Sequence, residues 1–404
     1  MVVAVLVPVA LLNYLDRQML ATMKASMVGD IPSIANKADW GLVLGCFKWT
    51  YAALSPFGGL IADRFSRRHV IVLSLLVWSA VTWWTGHVHH FHELVAVRAL
   101  MGISEAFYIP TALALISEFH RSETRSRAVG LHQTGIYVGQ ILGGFAGYVA
   151  EAPALGWRWA FTMCGMLGIV YSLPLFALLR NAPRPGSEPA SDRAKEPASH
   201  VFRGLLGNRS FQLLVAYFTL PAIAGWVVRD WMPDILKEKF QLGQGKAGVS
   251  AILFVQIASL VGAVVGGALA DRWMRSTQRG RIFTSALGMS LFLPALFGVG
   301  NAETLAVAIA GLVVFGLGWG FFDCNNMPIL CQIARPQWRA TGYGIMNLVS
   351  ISCGGFGDWA FGALRDRHVP LGVIFGVFAA VALLSIAIVL LITPRPELST
   401  PDDA

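Results

Sequence analysis

The chain has 404 residues, of which 55% are hydrophobic and only 13% charged, with a mean hydropathy of +0.59. A soluble globular protein carries roughly 25% charged residues, so composition excludes an ordinary soluble enzyme and indicates a polytopic membrane protein. The net charge of +8 would raise the question of nucleic acid in a soluble chain. Here the basic residues sit in short loops between apolar runs, where a positive-inside bias belongs, and no nucleic-acid partner is expected.

Apolar runs near the ~20 residues that cross a bilayer recur along the chain. The first, from Met1 to Leu12, lacks the basic n-region of a signal peptide and continues into Asn13 to Arg17 instead of a small-residue cleavage site, so it reads as a spanning helix. Cutting the runs at charged or Gly/Pro-rich turns predicts spans at about 2–26, 39–62, 69–88, 93–117, 127–150 and 157–180. A second set follows at about 208–235, 247–270, 281–299, 303–331, 339–363 and 370–393. Between the sets, residues 181–199 are rich in Pro, Ala, Ser and charge and bury too little apolar surface to fold alone. Val201 to Leu206 has the pattern of a short helix lying on the membrane surface. The expected architecture is an all-α membrane protein, with twelve transmembrane helices in two pseudo-symmetric six-helix bundles, residues 1–180 and 208–393. A cytoplasmic linker over 181–207 joins them, and a cytoplasmic tail covers 394–404.

Most of the 31 Lys and Arg residues fall after even-numbered spans, in the linker or in the tail, as with Arg64, Arg67 and Arg68, or Arg272 to Arg281. Both termini are therefore expected in the cytoplasm. The compact loops suggest the plasma membrane of a bacterium, that is, its inner membrane. The five cysteines lie in or beside apolar runs without metal-like spacing, and no disulfide framework is expected. His87, His89, His90 and His92 read as an ordinary interfacial loop, so no metal site is assigned. No nucleophile–base pair, metal motif or phosphate loop marks an enzyme, and no catalytic residue or cofactor is assigned; a proton is the expected coupling ion.

The two halves repeat. Gly58 to Arg64 (GGLIADR) recurs as Gly266 to Arg272 (GGALADR), Arg127-Ala128 as Arg339-Ala340, and Gly143-Gly144-Phe145 as Gly354-Gly355-Phe356, at offsets of 208 to 212 residues. Parallel repeats of this kind are a transporter architecture with the substrate site near the membrane midplane.

Gly58 to Arg68 (GGLIADRFSRR) resembles the loop signature of the major facilitator superfamily, and Arg98 to Gly102 (RALMG) its RxxxG motif. The resemblance covers essentially the whole chain and implies that superfamily's fold, a carrier working by alternating access, usually as a monomer. It also implies a gating role for Asp63, Arg64, Arg67, Arg98, Asp271 and Arg272; Glu118 and the start of the eleventh span are the two candidate partners on the cytoplasmic side. Asn13 to Arg17 (NYLDR), taken with Gly102 to Ala106 (GISEA), is similar to two branches. One is the anion:cation symporters that move sugar acids with protons; the other is the spinster-like lysolipid transporters. Gly139 to Gly144 is similar to the antiporter signature of the fifth helix but lacks its proline, which weighs against a drug antiporter.

Nine ionisable residues fall inside the spans: Asp16, Arg17, Lys48, Arg98, Glu105, Arg229, Asp230, Asp323 and Asp358. Each costs roughly 2.5–3.5 kcal/mol at a helix centre in lipid, so they are expected to face one another or a wet cavity. Asp16 and Arg17 point about 100° apart; Arg17 is expected to face the cavity as an anion anchor, and Lys48, at similar depth, to pair with Asp16. Asp16, Glu105 and Asp323 are the candidate proton carriers, Glu105 sharing a helix face with Arg98. Candidate substrate contacts are Arg17, Lys48 and Arg229 among the cations. Arg229 and Asp230 are alternatively placed in an outer vestibule, beyond a break in the seventh span. The neutral candidates are Tyr108, His132, Gln133, Asn325, Asn326 and Asn347. The expected function is proton-coupled symport of a small organic anion, a sugar acid or similar carboxylate, with a lysophospholipid carrier as the alternative.

Overall fold

In the computed structural model, residues 2–120, 122–181, 198–335 and 338–395 are described, without the side chains of 58–64, 117, 122–126, 198 and 340. The greater part of the linker (182–197), the tail beyond 395, and the side chains of Asp63 and Arg64 lie outside the described residues. Among the described residues all regular structure is helical, in sixteen segments.

Nine spans are single helices: α3 (Lys37–Arg64), α4 (Arg67–Thr85), α9 (Gly156–Leu178), α11 (Arg209–Phe240), α12 (Gln244–Met274), α13 (Gly280–Asn301), α14 (Leu305–Ile333), α15 (Arg339–Asp366) and α16 (Leu371–Leu390). The other three spans are each a pair: α1 (Val2–Thr22) with α2 (Lys24–Asp30), α5 (Phe91–Glu105) with α6 (Tyr108–Phe119), and α7 (Ser122–Gly144) with α8 (Ala146–Glu151). The remaining helix, α10 (Ala198–Leu206), covers the expected surface segment, with Phe202 and Leu206 exposed and Arg203 in its last turn. Among the described residues, eight segments are long and apolar enough, by length and composition, to cross a membrane. The less apolar α3 and α7 carry Lys48, His132 and Gln140, all buried, so their polarity is met by protein and not by lipid.

The breaks have local causes. Pro110 sits in the first turn of α6, where it supplies no N–H and its ring clashes with the carbonyl four residues back. The fourth span therefore stops at Glu105 and restarts at Tyr108. Pro8 lies inside α1, and two tyrosine hydroxyls donate to carbonyls just before it, Tyr171 to Val5 (2.9 Å) and Tyr108 to Leu6 (3.1 Å).

Two compact units are present. The first comprises the described parts of Met1–Ala182, Trp226–Leu253 and Gly354–His368. Here α1 packs along α7, α4 along α9 and α3 along α5. Gly135, Gly139 and Gly143 form the α7 stripe that faces the carbonyls of Val7, Leu11 and Leu15; spacing of four places all three on one face, and without side chains they let the backbones meet. The second unit comprises the described parts of Pro183–Gly225, Phe254–Cys353 and Val369–Ala404. In it α13 packs against both α14 and α16, and Phe292, Phe315, Trp319 and Phe322 form an aromatic core.

Candidate functional site

The in-span charges of the first unit fall into two adjoining clusters. In one, Arg17 of α1 pairs with Glu105 at the end of α5, both Nε and Nη2 lying 2.5 Å from Oε2. Glu105 is fully buried, whereas Arg17 keeps 15% exposure. The guanidinium stands over three rings, Tyr14 (4.8 Å), Phe47 (4.8 Å) and Tyr51 (5.0 Å), an arrangement that stabilises a cation in a partly dry site. Asp16 turns the other way, as the 100° step requires, and accepts from Thr82 Oγ1 of α4 at 2.9 Å. Arg98 lies over Phe47 at 4.5 Å and donates to Met101 Sδ at 2.8 Å, so Glu105 is held by Arg17 and not by Arg98.

In the second cluster Lys48 of α3 bonds to both Asp230 of α11 and Asp358 of α15, with its ammonium 4.3 Å from the Trp226 ring. The expected Lys48–Asp16 pair does not form: Lys48 faces α11 and α15 while Asp16 faces α4. Two further rungs continue along α11. Asp234 pairs with Lys24, which also stands over Trp231, and Glu238 pairs with Lys37 at 2.7 Å. Residues 230, 234 and 238 share one helix face at spacing four. That periodicity is visible in the sequence, but Asp234, Glu238, Lys24 and Lys37 fall near span ends and were not expected as a set. α11 is unbroken from Arg209 to Phe240, so Arg229 and Asp230 do not lie beyond a break. Asp366 accepts from the backbone N–H groups of Lys37 and Ala38 at 2.9 and 2.8 Å, capping α3.

Between the clusters is a narrow cavity of about 30 Å³, room for water and well below the volume of a small-molecule pocket, so a ligand enters it only when the surrounding helices move apart. Its wall includes Tyr14, Phe47 and Trp226 as aromatic surface, Gln18 and Gln140 as neutral polar groups, and Arg17, Lys48, Arg98 and Arg229 as cations. Gln18, Gln140 and Trp226 are lining residues that sequence reasoning missed. Tyr108 and His132 are not among them; both are buried, and they bond to each other at 2.9 Å. Because the Tyr108 hydroxyl donates to Leu6 O, it accepts from His132 Nε2, which fixes the imidazole tautomer. Gln133 is half-buried on α7.

The second unit holds the other neutral candidates. Asn325 donates to Phe321 O at 2.9 Å, Asn326 is buried, and Asn347 is half-buried on α15. Asp323 is exposed on α14, and Asp271 and Arg272 are exposed near the end of α12. In the first unit Arg67 forms an ion pair with Glu118, one of the two candidate partners of the gating residues.

These observations describe a helical carrier with compensated intramembrane charge, and the Major Facilitator Superfamily model matches residues 6–357. The chain belongs to the major facilitator superfamily. It is an integral membrane transporter and not an enzyme. Among curated proteins it is 28% identical to protein spinster of Drosophila melanogaster over 378 residues, covering 90% of this chain and 61% of that one. It is also 28% identical to protein spinster homolog 1 of Homo sapiens over 390 residues, covering 91% of this chain and 73% of that one. The chain thus spans about three-fifths of the fly protein. Among solved structures it matches a bacterial homolog to human lysosomal transporter, spinster, in inward-facing and occupied conformation, with a TM-score of 0.81 and 18% identity, covering 99% of this chain and 98% of that one. A D-xylose–proton symporter matches with a TM-score of 0.75 and 18% identity, covering 98% of each chain. Both share the fold.

Proposed function

We propose that this major facilitator is a spinster-like carrier that moves an anionic lysophospholipid together with protons by alternating access. It would work as a monomer in a bacterial inner membrane, with both termini cytoplasmic. The observation that carries the reading is the Arg17–Glu105 pair, set in an aromatic box at the wall of the cavity. A guanidinium binds phosphate through two parallel hydrogen bonds, but its donors here are directed at Glu105. A proton on Glu105 cancels the charge that holds Arg17 and frees those donors for the headgroup. When the ligand leaves, Arg17 returns to Glu105 and the proton is expelled. Anion and proton are thereby coupled through one arginine.

The wall also bears on the substrate class. The lining mixes Tyr14, Leu44, Phe47 and Trp226 with two neutral amides and with Arg17, Lys48, Arg98, Arg229 and Asp230, so its cations suit an anionic headgroup, and the spinster relatives favour an acyl glycerophosphate over a hexonate. Asp16, buried next to Arg17 in sequence, is the auxiliary proton carrier, and the Arg67–Glu118 pair belongs to the cytoplasmic gate. The purified protein is tested by thermal shift with a lysophosphatidylglycerol and with a hexonate, at acidic and neutral pH. A ligand at 100 times its Kd stabilises the fold by about 2.7 kcal/mol. Stabilisation by the lysolipid, stronger at acidic pH and lost in Arg17→Ala, is expected. Stabilisation by the hexonate alone would return the protein to the sugar-acid branch.

A further inference from the structure

Where α11 begins and α16 ends, the second unit holds an open cavity of about 440 Å³, within the size range of small-molecule sites. One side of it is the start of α11, with Arg209, Ser210 and Leu213; the other is Leu391, Thr393 and Arg395, just past α16. Both helices pass from apolar to polar sequence at this level, so the cavity lies where hydrocarbon meets water. Its frame is fixed by hydrogen bonds. Ser210 Oγ donates to Thr393 O at 3.1 Å and accepts from Thr393 N at 3.2 Å, and Arg395 N donates to Gln332 O at 2.9 Å. The Asn208 amide is occupied by Ser210 N at 3.1 Å and Ile333 O at 2.9 Å.

The side chains left over are two arginines and two leucines. Arg209 and Arg395 are exposed, and among the described residues neither guanidinium has a hydrogen-bond or ion-pair partner. No Asp or Glu occurs in 198–225, 279–302 or 369–395, and Arg279 adds a third cation by donating to Leu390 O at the end of α16. Like charges held close together repel, and an anion between them relieves that repulsion. Leu391 is 60% exposed, and α10 leads into the cavity with Phe202 and Leu206 also exposed, so apolar surface borders the cations. We infer that this cavity binds the headgroup of an anionic phospholipid of the bilayer, Arg209 and Arg395 holding its phosphate while Leu213 and Leu391 meet the first carbons of its acyl chains.

The chemistry selects by charge and by position. A guanidinium offers a phosphate two parallel hydrogen bonds, and a basic pocket between spanning helices holds anionic headgroups in this way. A zwitterionic lipid brings its own cation back toward the two arginines and gains less. Free phosphate has the charge but nothing to set against Leu213 and Leu391, whereas a lipid already in the leaflet presents both parts together. The bound lipid would join the first helix of the second set of spans to the last, next to the linker-side helix α10. The cavity shares no residue with the one beside Arg17, so the inference does not rest on the lysophospholipid reading.

The test is native mass spectrometry of the purified full-length protein in dodecyl maltoside, titrated with dioleoyl phosphatidylglycerol, dioleoyl phosphatidylcholine or inorganic phosphate. The wild type is expected to bind a first phosphatidylglycerol more tightly than phosphatidylcholine. Arg209→Gln combined with Arg395→Gln should weaken that binding roughly 25-fold, about fivefold for each arginine, and leave phosphatidylcholine unaffected. Both arginines are exposed, so the lipid-free double variant should unfold at the wild-type temperature. Arg275→Gln combined with Arg335→Gln removes the same charge from exposed positions outside the cavity, and screening should limit its effect to about twofold. The inference is overturned if the two double variants lose equally, which would mean diffuse surface charge, or if Arg209→Gln with Arg395→Gln loses nothing. Equal affinity for phosphatidylcholine, or binding of inorganic phosphate that displaces phosphatidylglycerol, also overturns it. Arg17→Ala should bind phosphatidylglycerol as the wild type does, so failure here is separable from failure of the lysophospholipid reading.

Discussion

The three lysine rungs along α11 form a graded series within one protein, and removing each lysine in turn tests how burial sets the worth of an ion pair. Lys48→Met strips the cation from Asp230 and Asp358, where the three side chains are 4%, 12% and 0% exposed. Breaking a buried pair by removing one partner costs about 3–5 kcal/mol, because the other charge stays buried and uncompensated. The upper part of that range is expected, since Lys48 also gives up its contact with Trp226. Lys24→Met leaves one carboxylate, Asp234, at 9% exposure, and about 3 kcal/mol is expected. Lys37→Met leaves Glu238, which is 46% exposed beside a lysine that is itself 27% exposed; solvent screening limits that pair to about 0–1 kcal/mol. Reversible unfolding of the purified protein in detergent, at low and high salt, measures the series. Only the Lys37 rung should weaken with salt, because screening acts on exposed charges. Adding Asp230→Asn and Asp358→Asn to Lys48→Met should recover most of the loss. Equal losses at all three rungs, or a Lys48→Met protein within about 1 kcal/mol of wild type, the range of an exposed pair, would refute the argument from burial.

Two other substitutions test how the site is built. Tyr108→Phe removes both the donor to Leu6 O and the acceptor for His132 Nε2, and an unsatisfied buried polar group costs about 1–3 kcal/mol. Stability should fall by that amount while ligand preference stays constant in the thermal-shift panel; a changed preference would place Tyr108 at the ligand. Gly41→Val puts a side chain 2.6 Å from Asp358 O and 2.7 Å from Trp359 Cα, and backbone on that side cannot move away cheaply. Lower stability and faster thiol labelling of a cysteine substituted at Trp359 are expected, whereas wild-type values for both would show that α3 and α15 pack less closely than described.

Several features of this transporter are one-dimensional and were legible from the chain alone. Bilayer thickness sets the length of an apolar run, so the twelve spans and the surface segment at α10 follow from hydropathy, and the repeat of GGLIADR as GGALADR exposes the duplication. Desolvation cost likewise marks Arg17, Glu105, Lys48, Asp230 and Asp358 as residues in need of partners, whatever the fold. Glu118 was one of two candidate partners for the gating residues, and only the fold selects it for Arg67. Depth along a helix can be counted from its ends, but the direction a side chain faces depends on how that helix is rotated against its neighbours. Lys48 and Asp16 were matched on depth alone; packing instead turns Lys48 toward residues 182 and 310 positions away in sequence. Similarly, Pro110 could be read as a helix breaker, but only the fold shows that the break leaves Glu105 at a helix end beside Arg17. Tyr108 and His132 look like binding residues in sequence because they are polar in an apolar run, yet they bond to each other inside the bundle, away from the cavity. Which polar groups are spent on structure and which remain for the cavity is decided by three-dimensional neighbours, and no pattern along a single helix records them.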